Sequence, residues 1–262
     1  MSTSALQVAR TGLDAQSERM RIIANNLANV NTTAFQRDRA EFATLAYQTI
    51  TAAGARSAGD NQYATGLNLG TGVRLTGTGR ITSPGSISAT GNNLDVAIEG
   101  EGYFQIQRPD GSTGYSRAGN FHLSSEGKVV TTDGMPVIPE IQIPDGAQSI
   151  TIGQDGTVSV TVTGQTEPSE VGKIEIARFV NPAGLQALGN NLYGVTAASG
   201  EAQTGPANAE GRGAIRQGAL ESSNVNVVQE LVDMIETQRA YEVNSKMIQA
   251  TDEMLRNANQ QL

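Results

Sequence analysis

The sequence predicts an α + β fold in which two long helices, one at each end of the chain, flank an all-β antiparallel centre. Three observations predict it: helix breakers confined to the middle, seven-residue apolar repeats at both ends, and short apolar runs separated by acidic-glycine pairs. All eight prolines lie between Pro84 and Pro206, whereas Met1 to Ala53 holds one glycine, Gly12, and Ala219 to Leu262 holds none. Proline removes a backbone donor and clashes with the preceding helical turn, and glycine costs a helix entropy, so only the ends are free of such breaks.

At the N-terminal end Leu6, Leu13, Met20 and Leu27 recur every seven residues, and Ala9, Gln16, Ile23 and Val30 follow each by three. This is an a/d seam of the coiled-coil type. Ser4 followed by Gln7 fits a capping box, which places the helix start near Ser4. The cluster Asn25, Asn26, Asn29 and Asn31, with Thr32-Thr33 behind it, favours local side-chain to backbone bonds and is expected to end the helix near Val30. At about 1.5 Å per residue such a helix is roughly 40 Å long.

The C-terminal end repeats the scheme, with Leu220, Val227, Met234, Tyr241, Ile248 and Leu255 at intervals of seven and Leu231, Ile235 and Met247 close by. Asn226 with Gln229 marks its start. Residues 1–45 carry five basic and four acidic side chains and residues 215–262 four and seven, so a weak mutual attraction is expected. Apolar stripes at helical spacing more often face a protein's own core than another subunit. At the extreme ends of a chain few other elements can cover them, so the two helices are expected to pair with each other and then with neighbouring subunits. Between them, Arg37 to Ile50 is expected to form a shorter helix on Phe42, Leu45 and Ala46. Thr51 to Thr78, rich in Gly, Ala, Ser, Thr and Asn, is expected to form an extended arm or loop that packs along a partner or orders on assembly.

In the centre, Val96–Ile98, Tyr103–Ile106, Lys128–Val130 and Ile141–Ile143 are short apolar runs, and Ser149–Ile152, Thr157–Val162 and Lys173–Ile176 alternate with period two. Asp110-Gly111, Glu126-Gly127, Asp133-Gly134, Asp145-Gly146 and Asp155-Gly156 supply the positive φ of tight turns. Spacers this short enforce antiparallel pairing.

Composition narrows the function. There is no cysteine, hence no disulfide framework, thiolate metal site or cysteine nucleophile. The net charge of −8 argues against nucleic acid as a partner, and 4% aromatic residues without tryptophan argue against a small-ligand pocket. No run of about 18 apolar residues is present, so no membrane insertion is expected. Met1 to Arg10 lacks the parts of a cleavable secretory signal, so if the chain leaves the cytoplasm another route is expected to carry it.

No catalytic, cofactor or metal site is predicted. His122, the one histidine, sits in a strand-like stretch without partners for a triad or a zinc centre. Glu99 and Glu101 read as a solvated turn and not as a catalytic pair. The glycines from Gly66 to Gly79 lack the lysine and the strand-loop-helix frame of a phosphate cradle. Asn31-Thr-Thr33 matches a glycosylation pattern too common to weigh.

Four separated stretches, in order, resemble the flagellar rod and hook proteins. Asn25-Asn-Leu-Ala-Asn-Val-Asn-Thr-Thr-Ala-Phe35 resembles their N-terminal signature, with Asn25, Asn26, Leu27, Asn29, Asn31 and Phe35 as its marks. Ser222-Ser-Asn-Val-Asn-Val227 with Glu230–Ile235 and Gln238-Arg-Ala-Tyr-Glu242 resembles the C-terminal one, marked by Asn224, Asn226, Gln238, Arg239 and Tyr241. Asp95–Phe104 and Tyr115-Ser-Arg-Ala-Gly-Asn-Phe121 resemble the central strands. Within the family, chain length and the segments Tyr47–Ile50 and Gly66–Val73 fit distal-rod members best, with proximal-rod members as the alternative. Two departures are Ala34, where glycine is common, and Gln36, where lysine is common; if the glycine takes positive φ, the exit from the helix is expected to differ here.

The resemblance implies a subunit exported unfolded by the flagellar type III apparatus and assembled outside the inner membrane into a hollow, rigid helical shaft that carries torque. Its partners would be further copies of itself, neighbouring rod and hook or junction proteins, an outer bushing ring and the export apparatus, with no cofactor. The implied layout puts 1–34 and 223–262 in a terminal coiled coil forming the inner tube. A small connecting domain with an extended arm takes 35–78 and 211–222, and an outer β-domain takes 79–210. The assembly interface would then comprise Leu6, Leu13, Met20, Ile23, Leu27, Val30, Val227, Leu231, Met234, Tyr241, Ile248 and Leu255. An extracellular adhesin or binding module is the alternative of a different class; a polysaccharide-acting β-solenoid enzyme would need a fixed repeat and clustered catalytic residues that the sequence lacks.

Overall fold

The computed structural model describes residues 2–58, 61–162 and 167–260. Among these residues two α-helices and many short antiparallel strands make an α + β fold with a β-rich body. The chain divides into two compact units. One gathers helix α1 (Ser2–Ala28), residues Asp38–Gly79 and helix α2 (Val227–Gln260); the other gathers Asn29–Arg37 and Arg80–Val225.

In the first unit α1 and α2 pack side by side. The pairings Gly12 with Asn244, Arg19 with Asp233 and Asn26 with Glu230 make them antiparallel. Helix α1 ends at Ala28, two residues before the expected stop, and begins at Ser2, so Ser4 lies inside the first turn and not ahead of it. Asn226 does cap α2: its Oδ1 accepts the N–H groups of Val228 (3.0 Å) and Gln229 (3.3 Å). The Gln229 amide does not complete a box; it donates forward to Asp233 Oδ1.

The shorter helix expected over Arg37–Ile50 is not there. Asp38–Thr44 is a strand paired with Val73–Arg80, and Gln48–Thr51 pairs antiparallel with Leu67–Leu69. Arg56–Ala58 pairs antiparallel with Asn61–Gln62, so the described part of the expected irregular arm is a two-stranded ribbon. Ala and Glu in Asp38–Ala46 favour a helix locally, but the β-prone Val73-Arg-Leu-Thr sequence offers a ladder that outweighs the small helix preference.

The second unit is built on one large sheet. From edge to edge its strands are Gln186–Gly189, Leu192–Gly194, Thr113–Ser116, Tyr103–Gln107, Glu175–Arg178 and Gln203–Pro206, with Val137–Ile138 also pairing Tyr103–Gln107. Register sets Tyr115 opposite Gln105 and Tyr193, and Ile176 opposite Phe104. The strand Tyr103–Gln107 is covered on both faces, so its residues from Tyr103 to Ile106 are all buried, the polar Gln105 among them. Phe104 and Ile106 join Val96, Ile98, Phe121, Val137 and Ile176 on one side, while Tyr103 meets Tyr115, Phe179 and Tyr193 on the other. Ring pairs are edge-on, Phe104 to Phe121 at 5.1 Å and Tyr115 to Phe179 at 4.9 Å. A separate three-stranded sheet, Ala147–Ile152, Thr157–Val162 and Ser169–Lys173, turns Val158 and Val160 inward. Ile141 and Ile143 are buried, but this stretch pairs only through an isolated bridge at Gln142 and not as the strand expected. All five acidic-glycine turns have their glycine at positive φ, between 74° and 88°.

Candidate assembly site

Helix α2 is inverted relative to an ordinary surface helix. Glu230, Thr237, Asn244 and Thr251 recur every seven residues, and these polar groups form its covered side: Glu230 is 2% and Thr237 1% exposed. The opposite side presents Val228 (71% exposed), Val243 (58%) and Ile235 (50%), with Leu231, Val232, Met247 and Met254 also exposed. On α1, Ala9, Ala15, Ile23 and Asn26 are buried, and the absence of a side chain at Gly12 leaves room for the Asn244 amide. Polar groups this deeply covered must be bonded. Asn26 Nδ2 donates to Glu230 at 3.2 Å, Arg19 lies 3.7 Å from Asp233, and the Thr237 hydroxyl donates to the Asp233 carbonyl at 2.6 Å.

The predicted interface residues divide between these sides. Leu6, Leu13, Met20, Leu27 and Val30 are half-buried and Ile23 is buried; on α2, Met234 and Ile248 are half-buried while Val227, Leu231 and Tyr241 are exposed. The Leu255 side chain falls outside the described residues. Sequence reasoning found the apolar repeat and missed the polar one beside it, although both have the same period.

The signature asparagines are structural staples. The expectation that Asn26 bonds locally at the helix end is wrong, because its carboxamide reaches across to the ribbon. Its Oδ1 accepts the Asp38 N–H at 3.0 Å and its Nδ2 donates to the Asp38 carbonyl at 2.9 Å, so one side chain pairs as a neighbouring strand would. This holds residue 38 extended at the ribbon's root. Asn224 plays a similar part in the second unit, accepting the Arg37 N–H at 2.7 Å and donating to the Ile81 and Ser83 carbonyls, each at 2.9 Å. Asn29 makes the local bond, accepting from Thr32 at 3.1 Å. Leu27, Asn29, Phe35 and Asn224 are half-buried; Asn25, Asn31, Asn226, Gln238, Arg239 and Tyr241 are exposed. Ala34 adopts φ 56° despite its Cβ, buried, with its N–H donating to the Glu221 carbonyl at 2.8 Å. The left-handed exit that glycine would favour is therefore kept. Gln36 is enclosed beside the Tyr103 hydroxyl without reaching hydrogen-bond geometry.

The ribbon exposes Tyr47, Ile50, Tyr63, Leu67 and Leu69. Among the described residues it has no third strand, and a two-stranded ribbon with apolar side chains in water is marginal alone.

The side chains weighed for catalysis stay at the surface. His122 is exposed in the short strand His122–Leu123; Glu99 is exposed, and Glu101 accepts from Arg178 at 2.9 Å. Among the described residues no cluster of three or more His, Asp or Glu side chains could hold a metal ion, and no helix is long and apolar enough to cross a membrane. Burial pushes the Tyr103 hydroxyl up, opposed by the nearby Arg117 charge. Asp155 is held down to about 2 by the Thr157 hydroxyl and N–H and then by Lys173.

Three family models match. Residues 6–36 match the flagella basal body rod protein, 97–160 the D1 domain of the flagellar hook protein FlgE/F/G, and 216–261 the C-terminal region of the flagellar basal body rod FlgEFG protein. Among curated relatives, the chain is 50% identical to flagellar basal-body rod protein FlgG of Buchnera aphidicola subsp. Schizaphis graminum over 98% of both chains. It is 46% identical to that of Caulobacter vibrioides, again over 98% of both, and 40% identical to that of Bacillus subtilis over 94% of both.

Proposed function

Since the chain belongs to the family of flagellar basal-body rod proteins, we propose that it acts as a structural subunit of the distal rod, polymerising into the shaft that joins motor to hook. Its place is the flagellar basal body. The adhesin alternative has nothing to support it beside this membership.

The observation that carries the assembly mechanism is the inverted α2. A helix that covers Glu230 and Thr237 while presenting Val228, Leu231 and Ile235 to water gains little from its own chain and much from a neighbour. In this reading the terminal segments 1–34 and 223–262 pair as a coiled coil and line the inner tube. The connecting region 35–78 with 211–222 carries the ribbon, and 79–210 is the outer β-domain. Leu6, Leu13, Met20, Ile23, Leu27 and Val30 pack with Met234 and Ile248, while Val227, Leu231 and Tyr241 meet the next copy. The ribbon's exposed Tyr47, Ile50 and Leu67 bridge subunits and stiffen the shaft. A head-to-tail contact with a helical operator gives an open filament. Further copies, adjoining rod and hook or junction proteins, a bushing ring and the export apparatus are the partners.

The test is a Leu231→Asp, Ile235→Asp double variant. Polymer formation, followed by sedimentation and electron microscopy, is expected to be lost while denaturant unfolding of the β-domain is unchanged. Wild-type polymers from that variant would overturn the reading.

A further inference from the structure

Stretches that carry the family resemblance meet inside the second unit around a buried ion pair. The side chains of Arg117 and Glu221 are 3% and 2% exposed and 2.7 Å apart. A guanidinium has five N–H donors, and four of them make hydrogen bonds here. Nε donates to Glu221 at 2.8 Å; Nη1 donates to the Gly100 and Gly102 carbonyls at 3.0 and 2.9 Å; Nη2 donates to the Ile98 carbonyl at 3.3 Å and lies 2.7 Å from the Glu221 carboxylate as its ion-pair contact. The other carboxylate oxygen of Glu221 accepts the Gly85 N–H at 3.0 Å, where a Cβ would collide with the Ser222 carbonyl.

Around Glu221 the segments that lead out of this unit are tied in a ring. Arg37 donates its N–H to Asn224 Oδ1, Asn224 Nδ2 donates to the Ile81 carbonyl, and the Ile81 N–H donates to the Arg37 carbonyl at 2.9 Å. The chain leaves the unit immediately after Arg37 and after Val225 and enters it at Arg80. The Glu221 carbonyl holds Ala34, and the Asn224 N–H donates to the Phe35 carbonyl at 3.2 Å.

A buried ion pair is seldom worth more to stability than an apolar pair of the same volume, since desolvation offsets its attraction. We propose that the Arg117–Glu221 pair is a positioning element for assembly, anchoring the ring of Arg37, Ile81 and Asn224 to the large sheet so that the chain leaves this unit in one fixed geometry. The proposal rests on the rod-subunit reading above. The pair acts through other residues. The Arg37 N–H is taken by the Asn224 side chain, the Asn224 N–H by the Phe35 carbonyl and the Ala34 N–H by the backbone carbonyl of Glu221. None of these three amides donates to the Arg117 or Glu221 side chain, so an effect at them reads positioning and not loss of a direct contact.

The experiment compares Arg117→Met, Glu221→Met and the double variant in the full chain. Each single change strands a buried charge and is expected to lower the unfolding midpoint; the double is expected to recover it. In the double, amide hydrogen exchange at Ala34, Arg37 and Asn224 is nevertheless expected to be about 10-fold faster than in the wild type, and polymerisation to be slowed by at least ~10-fold. If the singles do not fold, the double alone decides. A double variant that recovers stability with wild-type exchange at these amides, or with wild-type polymerisation, overturns the proposal. Should the wild-type chain itself fail to polymerise, the rod-subunit reading is at fault, and the exchange rates in the monomer decide the positioning claim by themselves.

Discussion

The large sheet and helix α2 handle their side chains in opposite ways. In the sheet, Phe104, Ile106 and Ile176 are enclosed while charged residues such as Glu101 and Arg178 lie outside. In α2, Glu230 and Thr237 are enclosed while Val228, Ile235 and Val243 lie outside. A sheet filled in this way completes its apolar burial within one chain. A helix filled in the reverse way has its apolar burial still to make, and its polar side fixes alignment at modest energy. The difference teaches that one polypeptide can divide folding and assembly between regions by choosing which of two seven-residue repeats it covers.

The largest test of this contrast removes a central ring. Phe104→Ala is expected to destabilise the second unit by about 3–5 kcal/mol in denaturant unfolding, since a buried aromatic leaves a cavity. Asn26→Leu takes the staple from the ribbon's root, and a loss of about 2 kcal/mol is expected in the first unit, with faster exchange at the Asp38 amide. Val228→Ser on the outer side of α2 is expected to change monomer stability by less than about 0.5 kcal/mol while raising the concentration needed for polymer; an equal loss of monomer stability would erase the contrast. The smallest effect concerns Asp155. Its folded carboxyl value lies below the ordinary 3.8, so whatever it adds to stability is present above that value and disappears as pH falls through about 2. Carboxyl NMR titration is expected to place its midpoint near 2, and Thr157→Val to return it toward the ordinary range.

What the sequence made legible was chemistry that acts locally. Asp110-Gly111 or Asp155-Gly156 specifies its turn from two residues, and Asn226 caps its helix from one. The ribbon was not legible because the strand partner of Asp38–Thr44 begins only at Val73 and because the clamp at Asp38 comes from Asn26, a residue whose local habits point to a helix end. Nor did the apolar repeat of α2 say which side is covered. Period alone cannot choose between Met234 and Thr237, which share it; the choice follows from Asn26, Arg19 and Gly12 on α1, which suit polar partners. At Ala34 the expectation was of a changed exit, yet the backbone keeps positive φ because its N–H is taken by Glu221.

The Asn26 side chain carries one further consequence. A carboxamide is a peptide group on a short tether, and here it offers its acceptor to the Asp38 N–H and its donor to the Asp38 carbonyl and to Glu230. Hydrolysis to aspartate would change a single heavy atom and leave the shape intact. It would also set a negatively charged acceptor against a carbonyl and a second carboxylate, turning attraction into repulsion at the root of the ribbon. The chemical lifetime of one amide bond thus bears on how long a subunit holds its ribbon in place.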